Sequence, residues 1–338
     1  MNHENEQGNQ KKNKIEEIKD VEEVNKGEKK ETEIAINGKN YEIGEKEKID
    51  KTISKDKALE NLYIDDLSLD GTYNSQIIIK ECVVDKLNFN AATFNKLIQF
   101  EKVIFQQEIS IDEKTNFEFQ LIFKDCVFQK KLKLKKLQLD NDLIITRSLL
   151  ENQCSIDECK FGNEFNCSSS KFGKKLLIKN CKFEGRVNFE NTNICGGESK
   201  FELNDFWKSF EAEGLQINSH FEISQCNFIE KVNFEFLKTK ARIDIGSSCF
   251  KNTVKWNNSC FDDKLVIRKC TFEMSAYFNQ ITFNNHVAFP NTRFLSTLYF
   301  DGSVCNSPAF FKNTTINNAN FRGVVFKEAV DFEKVTIE

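Results

Sequence analysis

From Phe228 onward an apolar residue recurs at alternating steps of six and five, through Phe234, Thr239, Ile245, Phe250, Trp256, Phe261, Ile267 and Phe272 to Phe300. The same spacing runs back to Phe89, with one extra residue near Gly196-Gly197, and forward through Phe311, Ile316, Phe321, Phe326 and Phe332 to Ile337. Of the 33 Phe, 27 fall on it, against roughly 6 for random placement at one position in about 5.5. Two positions before these residues stands a second, smaller one, such as Cys181, Val187, Cys226, Val232, Ser248, Cys270, Ala276 or Ala309. The residue between the two is usually polar, as at Lys182, Asn188, Asn227 and Asp331. Such alternation marks a strand, and strands this short require a corner every five or six residues.

Four sides close a coil of about 22 residues, and coils stacked at the ~4.8 Å strand spacing place each inward residue over its counterpart. The pattern therefore predicts an all-β fold, a quadrilateral parallel β-helix of about twelve coils. One side reads Phe94, Phe117, Leu139, Phe161, Phe183, Phe206, Phe228, Phe250, Phe272, Phe294, Ile316 and Ile337. These nine Phe form an almost unbroken stack and are the expected structural core. On the next side Cys167 follows Phe165 and Ala212 follows Phe210, so the bulky ring moves to the other inward position and volume is kept. The steps loosen from Phe105 to Phe123 and shorten at Ile316 to Phe321, where bulged corners are expected.

With AATF at 91–94, CKFEGRVNF at 181–189 and NANF at 318–321, the region from 62 to 338 resembles the pentapeptide-repeat family, in its variant that alternates five- and six-residue steps around Phe. The resemblance implies a right-handed quadrilateral β-helix, a pentapeptide-repeat-like solenoid. It carries over no shared catalytic residues.

Residues 1–60 hold 13 Lys and 16 Asp or Glu with few aromatics, a composition that buries too little surface to offset chain entropy. Three segments are expected: a disordered charged tail over 1–32, a hairpin and short helix over 33–61 that cover the first coil, and the repeat domain over 62–338. Asn37-Gly38, between two alternating runs, marks the hairpin. Ile49, Ile53, Ala58, Leu59 and Leu62 space a short helix over 48–62.

At 48 Lys plus Arg against 52 Asp plus Glu, a net charge of -4, the chain is neither a polybasic nucleic-acid binder nor strongly acidic. No stretch approaches the apolar length of a membrane span, and the start lacks an apolar signal core. Twelve Cys without a signal peptide fit a reducing compartment in which Cys acts as a small hydrophobe, so free thiols and a cytoplasmic location are expected, with peripheral membrane association as the alternative.

Candidate chemistry is sparse. His220 and His286 lie three coils apart, about 14 Å, whereas zinc holds its ligands at about 2 Å; no metal or cofactor is expected. Cys159 and Cys181 are neighbours in one inward column, within the range a disulfide spans, but read as small buried thiols. Cys249 and Cys260 point outward by register and are the better reactive thiols, with Cys195 beside the Gly pair. Lys130, Lys131, Lys133, Lys135 and Lys136 form the densest charge run and read as a solvated coil, with an anionic partner as the rival. Tyr277, Tyr299, Phe119 and Phe236 are the expected exposed aromatics.

The expected function is a non-enzymatic scaffold that binds an unidentified protein. Some members of the family imitate DNA and occupy the groove of type II topoisomerases. That role needs a strongly acidic face, and subtracting the tail leaves 48 − 13 = 35 basic against 52 − 16 = 36 acidic residues. A peripheral membrane scaffold is the other alternative, and no nucleic acid or membrane span is expected. Phe321, Phe326, Phe332, Val335 and Ile337 at the last coil are the expected interface of an end-to-end homodimer.

Overall fold

The computed structural model describes residues 33–337, and the tail expected over 1–32 lies outside them. Strands β1 (Glu33–Ile36) and β2 (Lys39–Ile43) form an antiparallel hairpin. Asn37 and Gly38 turn it at φ 51° and 77°, the left-handed pair that a two-residue hairpin loop requires. β2 then pairs in parallel with the first long strand, Glu42 opposite Leu62, so the hairpin continues the ladder of the coils. Helix α1 (Lys46–Ile53) turns Ile49 and Ile53 into the core. It is shorter than the helix expected over 48–62. Leu59 and Leu62 are buried, but on strands, where Leu59 pairs with Ile79 and the Leu62–Tyr73 strand with Val83–Phe94. Their apolar spacing suited either structure, and the parallel ladder, a partner remote in sequence, decided it.

Beyond Leu62 the chain is a parallel β-solenoid of about 13 turns with almost no helix, consistent with a right-handed β-helix. Tyr73 continues the Phe stack into an earlier coil, stacking on Phe94 with ring centroids 5.2 Å apart. Phe spacing misses it because the first coils are short: Leu69 pairs with Phe89 and Ile77 with Ile98. The regular coils then pair residues 22 apart, as Phe161 does with Phe183 and Phe228 with Phe250. An extra residue between Phe94 and Phe117 is taken up in a turn, where the Asp112 carboxylate accepts the Lys114 N–H at 3.0 Å. The extra residue near Gly196-Gly197 shifts the next pairing to Leu177 opposite Lys200, and the short step after Ile316 is a register slip against Phe294 to Thr297.

The expected core Phe at 94, 117, 161, 183, 206, 228, 250, 272 and 294 are all buried. Phe206, Phe228, Phe250 and Phe272 stack face to face, with centroids 4.7 to 4.8 Å apart and planes within 11°. The spacing of strands imposes this distance, and offset stacking makes it favourable. Phe165 and Phe210 fill the space beside Cys167 and Ala212, and all four are buried.

Corners follow a second rule. Asp125, Lys136, Arg147, Glu158, Ser169, Asn180 and Asn191, each eleven residues on, all adopt φ between 51° and 58°. Two of the four corners in a coil therefore turn through the left-handed region, and Gly214, Gly302 and Gly323 occupy the same positions with less strain.

The small residue right after such a corner is more than a volume match. Ser148, Ser170, Thr192, Ser259, Thr292, Ser303 and Thr314 each donate a hydroxyl to a backbone carbonyl of the preceding coil, as Thr192 does to Cys167 at 2.9 Å. Several also accept a backbone N–H from the coil before: Cys126 N–H reaches Ser148 Oγ at 3.0 Å, and Leu237 N–H reaches Ser259 Oγ at 3.0 Å. Cys126, Cys181, Cys226 and Cys270 take the same place, their thiols donating weakly to carbonyls at 3.4 to 3.6 Å. Cysteine in this column is thus a small donor as well as a small hydrophobe.

Candidate functional site

Both inward columns are filled, so whatever the protein recognises meets its outward positions and corners. Among the described residues no group of three His, Cys, Asp or Glu is placed to hold a metal ion, and no helix is long and apolar enough to cross a membrane. His220 and His286 sit on the same corner of different coils. His220 bonds Asp244 at 2.9 Å, and Arg242 bonds the other oxygen at 2.6 Å. Burial works to raise the Asp244 carboxyl, but these two partners outweigh it and hold the group below its ordinary range. His286 packs edge-on to Phe310; burial, then Lys264 and Arg242, lower its pKa. Neither His has a nucleophile beside it in these contacts.

All twelve Cys are free, nine buried and Cys195, Cys249 and Cys260 half-buried. Burial pushes Cys126, Cys226 and Cys270 up to about 12. Cys181 is raised by its hydrogen bond with Cys159 and by burial. Cys249 and Cys260, the better candidates for a reactive thiol by register, are among the half-buried ones, but their thiols are raised: partial burial and then Glu273 raise the first, partial burial and then Asp262 the second. An adjacent carboxylate opposes thiolate formation, which strand register alone does not reveal. Under native conditions a thiol reagent is expected to modify at most these three half-buried residues, slowly at Cys249 and Cys260, and all twelve after denaturation. Fast native labelling of more than three, followed by mass spectrometry, is the result that contradicts this burial.

The outward aromatics are more informative. Tyr277 and Tyr299 stack on one face at 4.6 Å, with planes within 2°. Phe119 and Phe236 are about half exposed, and Lys96 lies over the Phe119 ring at 5.4 Å. Sequence reasoning passed over four exposed apolar side chains, Leu203, Trp207, Met274 and Val325. Trp207 follows inward Phe206, at the place Glu184 takes one coil earlier and Ile229 one coil later. Its ring carries Lys182 Nζ at 4.1 Å from the centroid. Leu203, on the same coil, stands at a left-handed corner with φ 56°, an unfavourable place for a branched apolar residue. The available signal was an apolar side chain at a position that most other coils fill with polar ones.

The lysine run is exposed at Lys130, Lys131, Lys135 and Lys136 and half-buried at Lys133. Lys133 pairs with Glu108 and Lys136 with Glu158 at 3.9 Å. Of the residues expected at an end-to-end interface, Phe321, Phe326 and Val335 are half-buried, while Phe332 and Ile337 are exposed. Phe321, Phe332, Val335 and Ile337 line a groove of about 480 Å³ with Ile316 and Ala319.

A family model described as pentapeptide repeats (9 copies) matches residues 289–336. No curated protein and no solved structure matches the chain.

Proposed function

Because the chain is a pentapeptide-repeat β-solenoid scaffold, we propose that it is a non-enzymatic support whose outward side chains bind a partner protein. The observation that carries this is Trp207, 47% exposed on a face of short strands, with Lys182 over its ring and Leu203 51% exposed on the same coil. Tryptophan concentrates binding energy at protein interfaces, and an exposed ring already paired with a cation presents a firm, low-entropy contact. Ile229, half-buried on the next coil, extends the apolar strip. The coils above and below supply the rigidity that lets such a strip be held ready.

DNA mimicry is less well supported. Outward charges alternate in sign along the ladder, as in Lys160–Glu184, Lys200–Glu222 and Lys208–Glu230, rather than forming an acidic face.

The test is a photo-crosslinking side chain placed at Asn227, on the coil above Trp207, in the otherwise native protein and in the Leu203→Ser/Trp207→Ser variant. Loss of a contact of this kind weakens binding by on the order of 30-fold, so the specific cross-linked bands should vanish in the variant. They should persist in a Lys251→Ala control. Bands retained at equal strength in the double variant contradict the proposal.

A further inference from the structure

Three coils, at Leu132, Cys154 and Leu176, lie in register, which brings Lys130-Lys131, Asn152-Gln153 and Lys174-Lys175 to one corner. All four lysines are exposed, as is Lys135 on the adjoining face. Isolated cations along this solenoid often have an acid across the ladder, as Lys179 has Glu202 and Arg147 has Asp125, whereas here four lysines share one corner. None of Lys130, Lys131, Lys135, Lys174 and Lys175 has an ion pair among the described residues. The next coil leaves the corner open: Gly196 and Gly197 pass over it, and a Cβ at Gly197 would lie 2.5 Å from the Lys175 side chain. Gly197 also turns at φ 72°.

From this we propose that the corner is a docking site for a short acidic segment of a partner protein, lying in extended form along the solenoid axis. The inference rests on the scaffold reading above and adds the chemistry of one partner. Lys131 and Lys175 are two rungs apart, roughly 10 Å, and carboxylates at alternate residues of an extended chain repeat every ~7 Å. Two or three acidic side chains on one face of the segment therefore meet both lysine pairs, within reach of their flexible stems. Gln153, half-buried between them, offers hydrogen bonds to the segment's backbone, while the Asn152 amide donates to Gln129 O at 2.8 Å. The site is short. Glu108 stands on the coil before it and Glu198 on the coil after, and Glu151 edges the middle coil. A long polyanion such as a duplex would run onto these carboxylates, whereas a segment covering three coils stops short of Glu108 and Glu198.

The experiment uses the full chain and a fluorescein-labelled five-residue peptide of alternating Glu and Ser, whose three carboxylates span ~14 Å when extended, read by anisotropy. A Gln/Ser peptide, a ten-nucleotide single-stranded DNA and phosphatidylserine vesicles serve as competitors. The acidic peptide should bind, more weakly as salt rises. The variant K130E/K131E/K174E/K175E should bind it at least about tenfold more weakly, and K240E/K251E/K255E/K269E, with the same change in charge, less than about twofold. Circular dichroism checks that both variants are folded. Absence of peptide binding, equal loss in both variants, or tighter binding of the oligonucleotide or vesicles overturns the proposal. Leu203→Ser/Trp207→Ser should leave peptide binding unchanged, so failure of the lysine corner and failure of the tryptophan face are separate results.

Discussion

Phe250→Ala is expected to destabilise the solenoid by about 3–5 kcal/mol. The ring is fully buried between Phe228, at 4.8 Å and 4°, and Phe272, at 4.7 Å and 2°, with Trp256 edge-on at 6.2 Å. Its removal takes away both stacking partners at once. Collapse of the cavity is resisted because the coil spacing is held by ladder bonds such as Lys251 N–H to Phe228 O at 2.8 Å and Glu273 N–H to Phe250 O at 2.9 Å. In a solenoid each coil is stabilised mainly by its neighbours, so the loss is local and should separate the flanking coils into two unfolding steps. Denaturant melting should show an earlier first transition with a smaller m value, because less surface is exposed in it. Lys251→Ala, one residue away and exposed, should stay within about 0.5 kcal/mol. A larger loss for the outward substitution would invert the inward register.

The second large effect is expected at Asn204, which is fully buried just after the Leu203 corner. Its Oδ1 accepts the Cys181 N–H at 2.9 Å, and its amide donates to Ile178 O at 2.8 Å. Asn204→Leu keeps most of the volume and strands both backbone groups. Each buried unsatisfied group costs about 1–3 kcal/mol, so the change should cost about 2–6 kcal/mol. Asn204→Ser should recover most of the loss, because Ser248 joins adjacent coils at the corresponding place through its hydroxyl. Faster hydrogen exchange of the Cys181 amide in the Leu variant would locate the defect. If Leu is tolerated and Ser is not, the column is limited by volume, not by hydrogen bonding.

That column shows where sequence reasoning stops. The step of five and six, the nine-Phe stack and the exchange of bulk between Phe165 and Cys167 were legible, because an inward residue must match the same neighbour above and below in every coil. A repeated constraint leaves a repeated residue, and the fold follows from it. The hydrogen bonds of Asn204, Ser148 and Thr192 were not legible, since the carbonyls they reach lie about 25 positions earlier and become neighbours only when the corners turn. Helix α1 ended at Ile53 for a related reason: Leu59 and Leu62 found strand partners that no local spacing reveals.

The candidate sites divide along the same line. Lys130 and Lys131 were visible as a local run, yet their meeting with Lys174 and Lys175 depends on the register of three coils. Cys249 and Cys260 were correctly placed outward, but the carboxylates of Glu273 and Asp262 that raise their thiols were not visible from register alone. Trp207 carried no periodic signal, because outward positions share no common neighbour and so follow no common pattern. The sequence by itself determined what the inside of each coil must be, since stacking makes the same demand on every coil. The tertiary structure alone decided which outward side chains stand together, since their proximity comes from how the coils are superposed.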